Sequence, residues 1–137
     1  MISKTYIGWD IGGAHTKISI INSKKVKTRV FNIELWNNKG LSNIQKIIND
    51  KDITPKNALH CITLSGEMCD IFSSRIKGIN TLLSLFKQSA LNAYIYTNNG
   101  INKLSSLRNV KNAASMNWLA TAEYVSNYIE DIIIIDV

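Results

Sequence analysis

One proline, two cysteines and two histidines in 137 residues exclude several kinds of chemistry at the outset. Cys61 and Cys69 lie eight positions apart, lack a C-x-x-C spacing and have only the adjacent His60 for company. They read as reduced, buried thiols and not as a metal site or a disulfide. The start, MISKTYIGWD, has no long apolar run after a basic segment, so no signal peptide is expected. The longest aliphatic run, Ile132 to Ile135, is far too short to cross a bilayer. A cytoplasmic protein with no membrane contact is expected. Repeats, low-complexity segments and interdomain linkers are missing as well, and the length suits one domain with one core.

The charge balance lacks pattern more than it lacks sign. A net charge of +6 with pI ≈ 9.4 raises the question of nucleic acid. The lysines, however, are scattered (Lys4, Lys17, Lys39, Lys46, Lys56, Lys87, Lys103), and no nucleic-acid signature accompanies them. The single dense basic run, Lys24-Lys25-Val26-Lys27, falls at an expected hairpin tip and reads as a solvated turn. With 45% hydrophobic and 19% charged residues, the composition is that of an ordinary globular protein.

What is present centres on Tyr6 to Asn22, YIGWDIGGAHTKISIIN. Ile7, Trp9 and Ile11 alternate with Gly8 and Asp10, the period of a half-buried strand. Gly12 and Gly13 make a tight reversal, and Lys17 to Ile21 runs out as a partner strand. Glycines at positive φ bring bare N–H groups against an anion. Asp10, at the strand end, is placed to hold Mg²⁺, and Lys17 to supply a cation. Gly12, Gly13 and Lys17 are thus candidates for a phosphate or diphosphate group. The sequence has neither G-x-x-x-x-G-K-[ST] nor G-x-G-x-x-G, so this is no Walker or Rossmann loop. A plain hairpin with a solvated Asp and Lys fits the same spacing.

Downstream, the patterning predicts a third strand over Val26 to Trp36 and a short helix through Leu41, Ile44, Ile47 and Ile48. A buried parallel strand is expected from Ala58 to Leu64, then a helix carrying Phe72, Ile76, Ile79, Leu82, Leu83 and Phe86. Ala93 to Tyr96 is a further strand, Asn98-Asn99-Gly100 a turn and Ile101 to Leu104 its return. A long helix is expected from Asn109 to Tyr128, with Val110, Ala113, Ala114, Asn117, Trp118, Thr121, Ala122 and Val125 on one face. Asp131 to Val137 reads as a closing buried parallel strand. The expected class is α/β, a mixed sheet opening with three antiparallel strands and flanked by helices.

Ser65 to Asp70 follows a strand's carboxyl end, where ligands gather in α/β sheets. Glu67 and Asp70 are candidates there for substrate contact, or for capping the next helix. Asn117 calls for a hydrogen-bond partner on an otherwise apolar face. His15 is expected to be exposed, and Trp9, Trp36 and Trp118 to be core residues.

Taken together, GWDIGGAHTK, TLSGEMCDIF, NAASMNWLATA and IIIIDV resemble the hydantoinase/oxoprolinase-related family of tetrahydromethanopterin-linked one-carbon transfer pathway proteins, in that family's order along nearly the whole chain. The family includes a condensing enzyme of methanofuran biosynthesis. The resemblance implies an actin-like ATPase (ribonuclease H-like) lobe, in a superfamily whose two lobes each open with a phosphate hairpin. It implies a Mg²⁺-assisted transferase that joins an aminomethylfuran diphosphate to γ-glutamyltyramine and displaces diphosphate. Asp136 is implied as the first residue of a second phosphate loop, joining Asp10 at the metal. Because the chain stops at Val137, the resemblance covers the N-terminal lobe alone, and little turnover is expected of it by itself. Two other functions fit: an ATP-dependent amidohydrolase or sugar-kinase-like phosphotransferase, and a non-catalytic lobe acting as a binding or assembly module. The partners implied are a phosphorylated small molecule and a second lobe or a second copy, with no nucleic acid.

Overall fold

The computed structural model describes residues 4–23, 25–55, 57–89 and 91–135. Its sheet has six strands: β1 (Thr5–Ile11), β2 (His15–Asn22), β3 (Lys25–Asn32), β4 (Leu59–Leu64), β5 (Asn92–Thr97) and β6 (Gly100–Lys103). Three helices accompany them, α1 (Gly40–Asn49), α2 (Arg75–Gln88) and α3 (Asn117–Ser126). The spatial order is β3-β2-β1-β4-β5-β6. β1, β2 and β3 form an antiparallel meander, β4 lies parallel to β1 and β5 parallel to β4, and β6 returns antiparallel. The architecture is therefore α/β with a mixed sheet, opening with the three antiparallel strands expected.

The strand period sorts β1 onto two faces. Ile7, Trp9 and Ile11 are buried with Ile18, Ile62 and Ile95, and α1 and α2 close this face through Ile44, Ile47, Ile48, Ile79, Leu82, Leu83 and Phe86. Phe86 meets the Trp9 ring edge-on, centroids 5.1 Å apart at 86°, an arrangement that contributes about 1 kcal/mol beyond area burial. Tyr6, Gly8 and Asp10 point to the opposite face, over which, among the described residues, α3 and the segment after it lie. That difference in cover creates the cleft described below.

Several expected elements end or break where tertiary hydrogen bonds outcompete local pattern. The third strand stops at Asn32 and not at Trp36, because the chain turns to the glycine reversal: Ile33 N–H donates to Ala14 O and Leu35 N–H to Gly13 O. Trp36 is left exposed. The second helix begins at Arg75, capped by Ser74, whose hydroxyl accepts from Lys77 N–H. Neither Glu67 nor Asp70 caps it, Phe72 precedes it and Ile76 faces solvent.

The long helix is two pieces. A 3₁₀ turn, Val110–Ala113, is separated from α3 by Ser115 at φ 49, and α3 has no buried residue. Trp118 is exposed and Asn117 half-buried. The closing strand is absent over its described part: Asp131 to Ile135 adopts no regular structure and is exposed, while Asp136 and Val137 lie outside the described residues. The strands β2, β1, β4 and β5 already have both neighbours, and the isoleucine run pairs with neither open edge. No helix among the described residues is long and apolar enough to cross a membrane.

Candidate functional site

The antiparallel register sets Asp10 opposite Lys17, and the parallel one sets Asp10 beside Thr63. All three project onto the open face near the carboxyl ends of β1 and β4. Lys17 Nζ lies 3.3 Å from Asp10 Oδ2, and Asp10 Oδ1 is buried with no partner among the described residues. A carboxylate with one oxygen paired and one unmet has acceptor capacity left for a cation or a donor.

Behind Asp10 comes the glycine reversal. Gly12 N–H is used internally, donating to His15 O at 2.9 Å, while Ser65 N–H donates to Ile11 O. Among the described residues no acceptor meets the N–H of Gly13 or Ala14. The two glycines do not take positive φ; among the described glycines that conformation belongs to Gly100. They sit in close packing instead. A Cβ on Gly12 would sit 3.0 Å from His15 O, and one on Gly13 2.9 Å from Cys69 Sγ. The reversal therefore rests on the Ser65–Cys69 segment that follows β4.

Within that segment Glu67 is fully buried. Its Oε1 accepts from Arg75 Nη2 (3.0 Å) and Nε (3.2 Å), and from Ser115 Oγ at 2.7 Å. Arg75 Nη2 also donates to Ser115 Oγ at 2.8 Å. Glu67 thus ties the 3₁₀ turn Gly66–Met68 to α2 and to the break before α3. Asp70 is exposed and lies close enough to Cys69 to help hold its thiol in the protonated form. The structure brings Asp10, Lys17, Gly12 and Gly13 together; it places Glu67 in an internal ion pair and Asp70 on the surface, and Asp136 is outside the described residues.

Neither cysteine has the environment of a nucleophile. Burial pushes the thiols of Cys61 and Cys69 up, with Asp70 and Glu67 adding to the effect at Cys69. Both are free and half-buried, less enclosed than expected. No group of three or more His, Cys, Asp or Glu side chains suited to a metal occurs among the described residues. A cation here would rest on Asp10, with water and ligand oxygens completing the shell, which is how Mg²⁺ is commonly held.

The open face carries a cleft of about 750 Å³. Asp10, Lys17 and Thr63 line one part; Tyr96 and Ile101 of the sheet, and Trp118 and Tyr124 of α3, line another. The Tyr96 hydroxyl donates to the Glu123 carboxylate of α3, which raises the tyrosine pKa and links helix to sheet.

His60 lies within an apolar strand, where a histidine carries no distinctive spacing in the sequence. It is fully buried on the core face and its Nδ1 accepts from Trp9 Nε1 at 3.0 Å, so its proton is on Nε2, which has no partner. Burial lowers its pKa from 6.5 to about 4. The unfolded chain takes up this proton near pH 6.5 and the folded chain only near pH 4. Stability is therefore full above pH 6.5 and falls by about 3 kcal/mol as pH drops towards 4. Urea unfolding at pH 7 and pH 4.5 is expected to show a shallower acid loss for His60→Leu; equal losses in both proteins would rule out His60 as the source.

No protein-family model matches the chain. Solved structures that align with it include YeaZ from Pseudomonas aeruginosa (10% identity, TM-score 0.37, 66% of this chain and 43% of the other) and an uncharacterized protein with similarity to peptidase YEAZ from Pseudomonas aeruginosa (8% identity, TM-score 0.37, 66% and 41%). A TM-score of 0.37 establishes no common fold. Over 131 residues the chain is 27% identical to the (4-{4-[2-(gamma-L-glutamylamino)ethyl]phenoxymethyl}furan-2-yl)methanamine synthase of Methanocaldococcus jannaschii. That alignment takes in 91% of this chain and 38% of the relative, so the chain spans less than half the length of the curated protein it is similar to.

Proposed function

We propose that the chain is the diphosphate-binding lobe of a transferase of methanofuran biosynthesis, of the actin-like type, which joins an aminomethylfuran diphosphate to the phenol of a tyramine-type acceptor. The observation that carries this reading is the unmet Asp10 Oδ1 beside Lys17, three and four residues before the N–H groups of Gly13 and Ala14 that no described residue accepts. Acceptor, cation and amide donors at the carboxyl ends of parallel strands suit a magnesium diphosphate. The similarity to the methanamine synthase supplies the reaction class.

In the proposed reaction the phenol oxygen forms a bond to the methylene carbon of the furan as the bond from that carbon to the diphosphate oxygen breaks. The electron pair leaves with the diphosphate, and the phenol proton goes to solvent or base. Bound Mg²⁺ would neutralise charge developing on the leaving oxygens. Asp10 would hold the cation, Lys17 would exchange part of its pairing with Asp10 for a phosphate oxygen, and the turn amides would bind the leaving group more tightly as its charge grows.

Calorimetric titration with Mg²⁺ and inorganic diphosphate tests the assignment. Asp10→Asn keeps the side-chain shape and removes the charge, and is expected to weaken Mg²⁺-dependent binding at least about tenfold, the equivalent of one charge-assisted contact. Diphosphate binding unchanged by Asp10→Asn would overturn it. Saturable binding of ATP with none of diphosphate would favour a phosphotransferase or ATP-dependent hydrolase instead.

A further inference from the structure

Among the described acidic side chains Glu67 alone is fully shielded from solvent, and the proposed reaction gives it no task. A buried carboxylate is a poor stabilising device. Its Oε2 is unmet among the described residues, Arg75 and Ser115 at Oε1 offset only part of the desolvation, and an apolar pair of similar volume is commonly as stable or more so. Stability does not account for Glu67, so its placement has to.

That placement joins two walls of the cleft. On one side the turn carrying Glu67 is seated against the glycine reversal: Ser65 N–H donates to Ile11 O, and a Cβ on Gly66 would stand 2.8 Å from the Gly12 oxygen. On the other side Glu67 Oε1 accepts from Ser115 Oγ at 2.7 Å. Ser115 holds φ 49 directly before Met116, the residue that caps α3, and a left-handed backbone at a residue other than glycine persists where its surroundings impose it. Asn117 and Trp118, which open α3, line the same cleft as Asp10 and Lys17. Because α3 buries no residue of its own, packing does little to fix its start, and the bond to Glu67 does more.

We propose, resting on the diphosphate reading above, that Glu67 is a positioning residue. From inside the protein it sets the reversal and the start of α3 at the spacing the anion site requires, and it touches neither the cation nor the diphosphate.

Stability and binding separate this role from a structural one. Glu67→Met/Arg75→Met removes both charges, so its unfolding midpoint should lie above that of Arg75→Met. Its Mg²⁺-dependent binding of inorganic diphosphate, read by calorimetry, should nevertheless be about tenfold weaker than wild type, the usual effect of losing a residue that orients a ligand-holding group. Ile48→Val, which loosens the core from the last turn of α1, should bind as wild type does. In the ligand-free spectrum of the ¹⁵N-labelled double variant, the amides of Gly13, Ala14, Asn117 and Trp118 should all be displaced. Wild-type affinity in the double variant would overturn the proposal. So would an equal loss of binding in Ile48→Val, since binding would then follow stability alone. If the double variant does not fold, Ser115→Ala decides: removing this hydroxyl should weaken binding about threefold, and unchanged affinity would overturn the proposal. If the wild-type chain binds no diphosphate, the diphosphate reading fails and the ligand-free spectra judge Glu67: displacement at both walls upholds its positioning role, and displacement at one or neither rejects it.

Discussion

Arg75→Met is expected to cost about 3 kcal/mol of stability, because it strands a fully buried carboxylate. Glu67 is wholly shielded from solvent, and among the described residues its Oε1 has Arg75 as its cationic partner and Ser115 as its hydroxyl donor, while Oε2 has none. Removing the guanidinium leaves Ser115 alone to satisfy the charge. Arg75 itself is half exposed, so the pair contributes little beyond a surface bridge by attraction alone; the cost comes from the charge left behind. Glu67→Gln is therefore expected to be milder, and the double variant Glu67→Met/Arg75→Met should recover part of the loss. Chemical unfolding of the four proteins decides it: an Arg75→Met midpoint equal to wild type would show that water reaches Glu67. Ser115 holds a left-handed backbone at φ 49 through these same bonds, so the break before α3 should also loosen.

Gly78→Ala should be destabilising although alanine is the better helix former. A Cβ at this position would stand 2.3 Å from the carbonyl oxygen of Glu67, 3.0 Å from its carbon and 2.9 Å from Phe72 Cδ2. The first two are backbone atoms and cannot rotate aside, so α2 would have to move away from the 3₁₀ turn. Overpacking of this kind costs about 3 kcal/mol, against about 1 kcal/mol gained from helix propensity, a net loss of roughly 2 kcal/mol. Thermal unfolding is the measurement, and an unchanged or raised Tm for Gly78→Ala would show that α2 is not packed this closely. Glycine is needed here for close approach, and its weak helix propensity is the accepted cost.

The strands were legible because their patterns are local. Ile7, Trp9 and Ile11 alternate cleanly, and Asn22–Lys25 and Gly12–His15 are short reversals whose registers leave few alternatives. Asp10 and Lys17 stood out as chemistry beside a glycine pair, and the register sets them opposite one another. What sequence pattern missed depends on long-range bonds. The end of β3 is set by Ala14 and Gly13, about twenty residues earlier. The break at Ser115 is set by Glu67, 48 positions away, and nothing in NAASMNWLATA announces it. Trp36 and Trp118 read as core because tryptophan is highly buried on average, yet Trp36 sits in the turn before α1 and Trp118 on a helix that has no buried residue. The isoleucine run at residues 132–135 has the composition of a buried strand and no neighbour with which to pair, and composition alone cannot supply one. Positive φ is one use of glycine and close approach another: Gly12 and Gly13 have ordinary φ and lie tight against His15 and Cys69.

On the proposed function, the reversal after β1 would receive a diphosphate with Asp10 holding its cation. Amide chemical-shift mapping of the ¹⁵N-labelled chain during titration with magnesium diphosphate tests it most directly. The account predicts the largest movements at Gly13 and Ala14, with Asp10 and Lys17 following and Asp10→Asn suppressing them. Movements concentrated elsewhere, or saturable binding that leaves the Gly13 and Ala14 amides in place, would contradict it.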